Sequence, residues 1–169
     1  MGMVTANIAI GADGSTTIKA SSSGLSFLAD RTRFHALRSE SDVIIIGGNT
    51  ARNEPYGSTP IPLIVLSKSP LSPPVSDNPL AEHWHMNILE ALTRARTQYS
   101  RILLEGGPAL LTPALAAGQI DRLYLTISDA SGGENRVDYI PLVAGYTEIE
   151  RTVNPGGTFL TYDLAPSHQ

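Results

Sequence analysis

The sequence predicts an α/β fold in which a mostly parallel central sheet carries helices on both faces and closes with an antiparallel C-terminal hairpin. Three observations predict it. Short apolar runs, VIII at 43–46, PLIVLS at 62–67 and RILL at 101–104, have the continuous hydrophobic character of strands buried on both faces. Stretches of helical periodicity lie between such runs, and alternation of this kind implies parallel crossovers. Two final runs, 147–153 and 158–164, flank Asn154-Pro155-Gly156-Gly157 and read as a hairpin.

Residues 4–10 (VTANIAI) form the first expected strand, closed by the turn pair Asp13-Gly14. The small polar stretch 15–23 reads as a loop or weak strand. Helical patterning starts at Ala29, with Asp30 near the positive end of the helix dipole and Phe34 sharing a face with Leu37 or Arg38. Gly47-Gly48-Asn49-Thr50 is expected to end the strand at 43–46. The Pro- and Ser-rich span 68–83 is the least ordered part of the chain. An amphipathic helix follows at 87–99, with Ile88, Leu89 and Leu92 inward. After the strand at 101–104 and Glu105-Gly106-Gly107, Pro108 opens a helix that Gly118 ends. Residues 122–128 alternate as a strand.

The chain has 169 residues, 41% of them hydrophobic, so one domain with its own core is expected. A net charge of −4 without any run of like charge argues against nucleic acid as a partner. Without cysteine there are no disulfides, no thiol catalysis and no Cys-ligated zinc. No apolar stretch reaches the ~18 residues of a membrane span. The opening MGMVTANIAI lacks the parts of a secretory signal, and the cytoplasm is the expected compartment.

Two strand ends carry the chemistry. IIIGGNT (44–50) and ILLEGGPALL (102–111) both run from a buried strand into glycine, where backbone amides can approach a phosphate at the carboxyl edge of a sheet. The second also opens a helix, whose first amides lack partners. Each is equally compatible with a plain tight turn. Glu105, between an apolar strand and two glycines, is expected to be partly desolvated, a setting common in active sites. Asp13 is a second acid but also an ordinary turn residue. Arg38 suits either an anionic substrate or a surface ion pair. His83 and His85 share a strand face without a third ligand, so no metal site is expected.

Taken together, Asp13-Gly14, Asp30, Phe34-His35, Leu37-Arg38, Gly47, Thr50, Glu54-Pro55, Glu105-Gly106-Gly107, Leu110, Ala117-Gly118 and Ile120-Asp121 fall in an order that resembles the reductase domain of the riboflavin-biosynthesis deaminase-reductase family, over residues 4–128. The resemblance implies a dihydrofolate-reductase-like fold, NADPH as hydride donor, and a phosphoribosylamino-pyrimidine as the small-molecule substrate. Carried over by position, the cofactor meets Ala9, Thr50, Glu54, Ser67, Gly106, Gly107, Pro108, Ala109, Leu110 and Leu111. Substrate meets Ser23, Arg38 and Glu105, and Glu105 or Asp13 orients the proton. The resemblance, together with an uncovered hairpin edge, also implies a homodimer. Competing readings are a reductase of another small substrate, such as a pterin or carbonyl compound, and a dinucleotide-binding paralogue without activity.

Three features depart from the family pattern. No arginine follows the acidic-Pro pair in residues 55–59. The span 67–87 is short, so a strand and part of the wall on the cofactor's adenosine side are expected to be missing. Finally, Ser128-Asp129-Ala130-Ser131-Gly132-Gly133-Glu134-Asn135 stands where the family has Ala-Pro and a glycine-rich run.

Overall fold

A computed structural model describes residues 1–167. Its centre is one eight-stranded sheet in the order β4-β3-β2-β5-β1-β6-β8-β7. The strands are β1 (Met3–Ile10), β2 (Val43–Gly47), β3 (Leu63–Leu66), β4 (Ala81–Trp84), β5 (Arg101–Glu105), β6 (Arg122–Ser128), β7 (Tyr146–Asn154) and β8 (Gly157–Leu164). From β4 to β6 every pairing is parallel, while β8 lies antiparallel to both β6 and β7. The helices are α1 (Leu28–Ser39), α2 (Gly48–Asn53), α3 (Ile88–Gln98), α4 (Pro108–Ala116) and α5 (Tyr139–Leu142).

Strand alternation sorts side chains into two cores. Val4, Ala6, Ile8 and Ile10 of β1 face one way with Ile102 and Leu104, and are covered by Ile88, Ala91, Leu92 and Ala95 of α3 and by Leu111 and Leu115 of α4. On the other side Ile44, Ile46, Leu63, Val65 and Leu103 pack under Leu37 of α1 and Ala51 of α2. The expected layers are therefore present.

One expectation is borne out and one corrected. Gly47-Gly48-Asn49-Thr50 does end the strand, and Gly47 is also the N-cap of the short helix α2. The span after Ser67 does contain a strand, β4, which completes the parallel edge. Its sequence AEHW hides only Trp84, so it carries no apolar run to announce it. The loop before β4 is also ordered from within. The buried Asn78 donates from Nδ2 to the Tyr56 carbonyl at 3.1 Å and to Thr59 Oγ1 at 2.9 Å.

Candidate active site

The carboxyl ends of β3, β2, β5 and β1 are neighbours, and three strand spacings put about 14 Å between the outer two. Along this edge stand Ser67, Gly47-Gly48, Gly106-Gly107 and the Ala9 end of β1. Both glycine turns thus meet on one edge and interlock. A Cβ on Gly47 would lie 3.2 Å from Leu110 Cδ1, and one on Gly106 would lie 3.2 Å from Thr50 Oγ1. Gly106 holds φ +134°, a conformation open to glycine and strained for other residues. Gly107 differs, because nothing lies within 4 Å of where its Cβ would be. As N-cap of α4 it leaves the amides of Ala109 and Leu110 in the unpaired first turn, after Pro108, which has none to offer. Leu111 is buried in the core behind them.

Beside this edge, α2 and β3 enclose a cavity of about 370 Å³ lined by Gly48, Arg52, Ser67, Ser69, Leu71 and Val75 among others. Loop 68–80 supplies much of its wall. Ser67 Oγ donates to the Ser69 carbonyl at 2.9 Å, and Gly48 carries no Cβ to crowd it, since one would sit 3.0 Å from that oxygen. His83 Nε2 lies 2.6 Å from the Ser67 carbonyl, and its ring stacks on His85 at 6.5 Å.

Glu105 occupies the other face of the strand end, because β5 alternation turns Leu103 and Glu105 toward α1. The expected desolvation of this acid goes further than partial: Glu105 is 2% exposed and fully engaged. Arg38 Nε donates to Oε1 and Arg38 Nη2 to Oε2, each at 2.8 Å, and Tyr56 Oη donates to Oε2 at 2.5 Å. Arg38 stacks over Phe34 at 4.2 Å and Tyr56 at 5.3 Å. Burial pulls its guanidinium down, but the hydrogen bonds and charge of Glu105 outweigh this and hold it above the ordinary value. Burial, with the adjacent Glu105 charge, pushes the Tyr56 phenol well above its usual range. Arg38 is therefore not an uncommitted cation waiting for an anionic substrate.

Asp13, a candidate acid and also a turn residue in the sequence, is tied into its loops. Its Oδ1 accepts from Ser15 Oγ at 2.6 Å and Ser15 N at 3.1 Å, while Oδ2 accepts from Gly132 N at 2.9 Å and pairs with Arg136 at 3.2 Å. The Ser15 hydroxyl and the Gly132 amide hold its carboxyl well below the usual carboxylate range. An acid this strong, with its lone pairs taken, ties two loops together and is a poor proton donor near neutrality. Glu54 also ties loops. It accepts from Ser22 N at 2.6 Å and Ser21 Oγ at 3.4 Å, which draws the exposed Ser23 toward the end of α2.

On the α1 side Asp30 is visible in the sequence but its partners are not. The buried Asp30 accepts from Thr126 Oγ1 at 2.8 Å and Ser26 Oγ at 3.2 Å, rather than simply capping a helix. Arg33 Nη2 donates to the same Thr126 Oγ1 at 3.0 Å. None of these partners carries a sequence signal stronger than a polar residue on an apolar element, and only the register brings them together.

A profile of the RibD C-terminal domain family matches residues 2–143. No curated protein matches the chain. Solved structures of similar fold include a pyrimidine reductase-like protein from Corynebacterium diphtheriae, with TM-score 0.72 and 18% identity over 98% of this chain and 93% of that one. Another is the diaminohydroxyphosphoribosylaminopyrimidine deaminase/5-amino-6-(5-phosphoribosylamino)uracil reductase of Thermotoga maritima, with TM-score 0.73 and 13% identity over 97% of this chain and 57% of that one. This chain therefore spans little more than half of the Thermotoga protein. A third is dihydrofolate reductase from Enterococcus faecalis complexed with NADP(H), with TM-score 0.70 and 18% identity over 98% of each chain. At such identities the likeness is one of fold, and that fold is dihydrofolate-reductase-like. With the family profile spanning most of its length, the chain belongs to the RibD C-terminal domain family, a family of reductases.

Proposed function

We propose that the chain is an NADPH-dependent reductase of 5-amino-6-(5-phosphoribosylamino)uracil, the substrate in the printed name of the Thermotoga protein. One observation carries this reading: the two interlocked glycine turns at adjacent strand ends, with Gly107 open toward solvent at the start of α4. The residues fit a dinucleotide. Amides of Ala109 and Leu110 face outward to take its phosphates. Thr50 and Ser67 continue the same edge, and Arg52 with Ser69 lines a cavity suited to the adenosine end and its additional phosphate. Lys68, exposed beside Ser67, adds a second cation. Ala9, small and level with Thr126, leaves room above the sheet for reacting rings.

When bound, NADPH supplies the hydride, and the chain's own groups do the rest. Holding donor and acceptor carbons together without intervening water removes much of the barrier. The Arg38–Glu105–Tyr56 cluster is a rigid, charge-balanced wall against which Ser23 and its loop enclose the substrate. The Tyr56 hydroxyl, pushed up and already donating to Glu105, stays protonated and fixes the orientation of that acid. Self-pairing of β7, whose residues are exposed along almost its whole length, would make the homodimer that the resemblance implies.

Loss of NADPH absorbance with the phosphoribosylamino-uracil tests the reading, and no oxidation above background overturns it. Neutralisation of Arg38 by Glu105 favours a second reading, a reductase of a heterocycle without phosphate. A higher kcat/KM for the dephosphorylated compound would select it.

A further inference from the structure

Two buried side-chain atoms have no hydrogen-bond partner among the described residues, Asn7 Oδ1 and Arg33 Nε. Buried polar atoms are nearly always paired, and each exception costs about 1–3 kcal/mol. Both exceptions belong to the same place. In the parallel register Asn7 on β1 lies level with Glu105 on β5 and with Tyr124 on β6. Laterally paired residues share a face, so Glu105, Asn7 and Tyr124 form one polar row beneath α1. Arg33 reaches over the end of that row. Its guanidinium stands 5.2 Å from the Tyr124 ring and 4.0 Å from the Phe159 ring.

The two cations on this face of α1 are not equivalent. Arg38 spends its charge on Glu105 through two hydrogen bonds. Arg33 makes a single one, to a hydroxyl that itself donates to Asp30. Burial draws the Arg33 guanidinium below its ordinary value, and the nearby Asp30 only partly compensates. Asn7 makes no side-chain hydrogen bond among the described residues. Both residues are half-buried while Asn7 Oδ1 and Arg33 Nε are sealed, so the groups left within reach are donors, Asn7 Nδ2 and one Nη of Arg33, on the β1 face that Ala9 shares two residues along.

We propose that Asn7 and Arg33 are the specificity-determining pair for the substrate ring: Asn7 Nδ2 and the free Nη of Arg33 donate to two carbonyl oxygens of the ring. The inference rests on the reductase reading and sharpens it. It moves ring recognition from Arg38 and Glu105 to a donor and an amide that the protein leaves unpaired. The cost in stability of the sealed Asn7 Oδ1 and Arg33 Nε is of the kind retained at functional sites.

The test uses 5-amino-6-(ribitylamino)uracil, which carries the ring and no phosphate, titrated calorimetrically into wild type, Asn7→Leu, Arg33→Met and Arg33→Lys. Wild type should bind it. Asn7→Leu should raise Tm, since the lone buried oxygen is gone, yet weaken the ring ligand about tenfold, the loss expected for one polar partner left unpaired. Arg33→Met should weaken it similarly, and Arg33→Lys, which keeps the charge, controls for folding. NADPH affinity should stay unchanged in all three. Variants that bind the ring as tightly as wild type overturn the proposal, as does a wild type that ignores it. Turnover of the phosphorylated substrate by wild type, measured in parallel, separates the outcomes: with turnover present only the Asn7–Arg33 assignment falls, and with turnover absent the reductase reading falls too.

Discussion

Replacing Glu105 by glutamine removes the anion from a cluster in which Arg38 is 13% exposed and Glu105 only 3% by side chain. The carboxylate accepts three hydrogen bonds, two from Arg38 and one from Tyr56. A glutamine oxygen turned to Tyr56 and Nη2 saves two of them, but its amide then points N–H groups at Arg38 Nε, and the guanidinium keeps its charge without a counterion. Removing one partner of a buried pair costs about 3–5 kcal/mol. The stack of Arg38 on Phe34 places this case at the low end, about 3 kcal/mol. At roughly 2–4 °C per kcal/mol for a chain of this size, Tm should fall by about 6–12 °C. Urea unfolding should give a lower midpoint with an unchanged slope. Adding Arg38→Gln should restore a large part of the loss, since the uncompensated charge goes with it. A loss under about 1 kcal/mol for Glu105→Gln, ordinary for a surface change, would refute the buried-pair account, and so would strictly additive losses in the double variant.

Other perturbations read the remaining parts of the site. Gly106→Ala should cost about 1–3 kcal/mol, because φ +134° strains an alanine and its Cβ would press on Thr50; an unchanged Tm would contradict the interlocked turns. Tyr56→Phe should cost about 1–2 kcal/mol and leave NADPH binding intact, as differential scanning and titration can show. Tyr146, which donates to the Ile120 carbonyl at 2.9 Å, has its phenol pushed up to about 12 by burial. Its folded value exceeds the unfolded one near 10, so its contribution is complete below about pH 10 and fades as pH rises toward 12. Tyr146→Phe should therefore flatten the alkaline limb of the stability curve, and an identical limb would count against the buried phenol. Asp13→Asn works at the other end. The depressed carboxyl contributes above its unfolded value near 4 and loses that contribution as pH falls below it, so the variant should be less sensitive to acid.

The elements legible in the sequence are those whose burial leaves a periodic trace. β2 and β3 are apolar along their length and β5 across Ile102–Leu104 because helices cover both faces, and α3 declares itself through Ile88 and Leu92, although Leu89, expected inward, is exposed and the structure adds Ala91, Ala95 and an Asn87–Glu90 capping box. β4 left no such trace, being an edge strand with a single buried side chain, and α2 was hidden by the two glycines at its start. The glycine turns and Glu105 were visible as local motifs. The company Glu105 keeps was not, since Arg38 and Tyr56 reach it from 67 and 49 residues away. Neither Asn7, within the expected strand 4–10, nor Arg33, within the helix from Ala29, carries a sequence signal of its own. Only the pairing of β1 with β5 and β6 shows that both sit beside the acid.

The most direct measurement is a calorimetric titration of NADPH into wild type and Gly107→Ala. At Gly107 φ is −80° and no atom lies within 4 Å of the new methyl, so the variant should fold with an unchanged Tm. If the open glycine turn is where the dinucleotide phosphates approach the backbone, wild type binds one NADPH per chain and the methyl weakens it about tenfold or more, as loss of close backbone approach requires. Equal affinity in the two proteins, or no binding by wild type, would contradict the account.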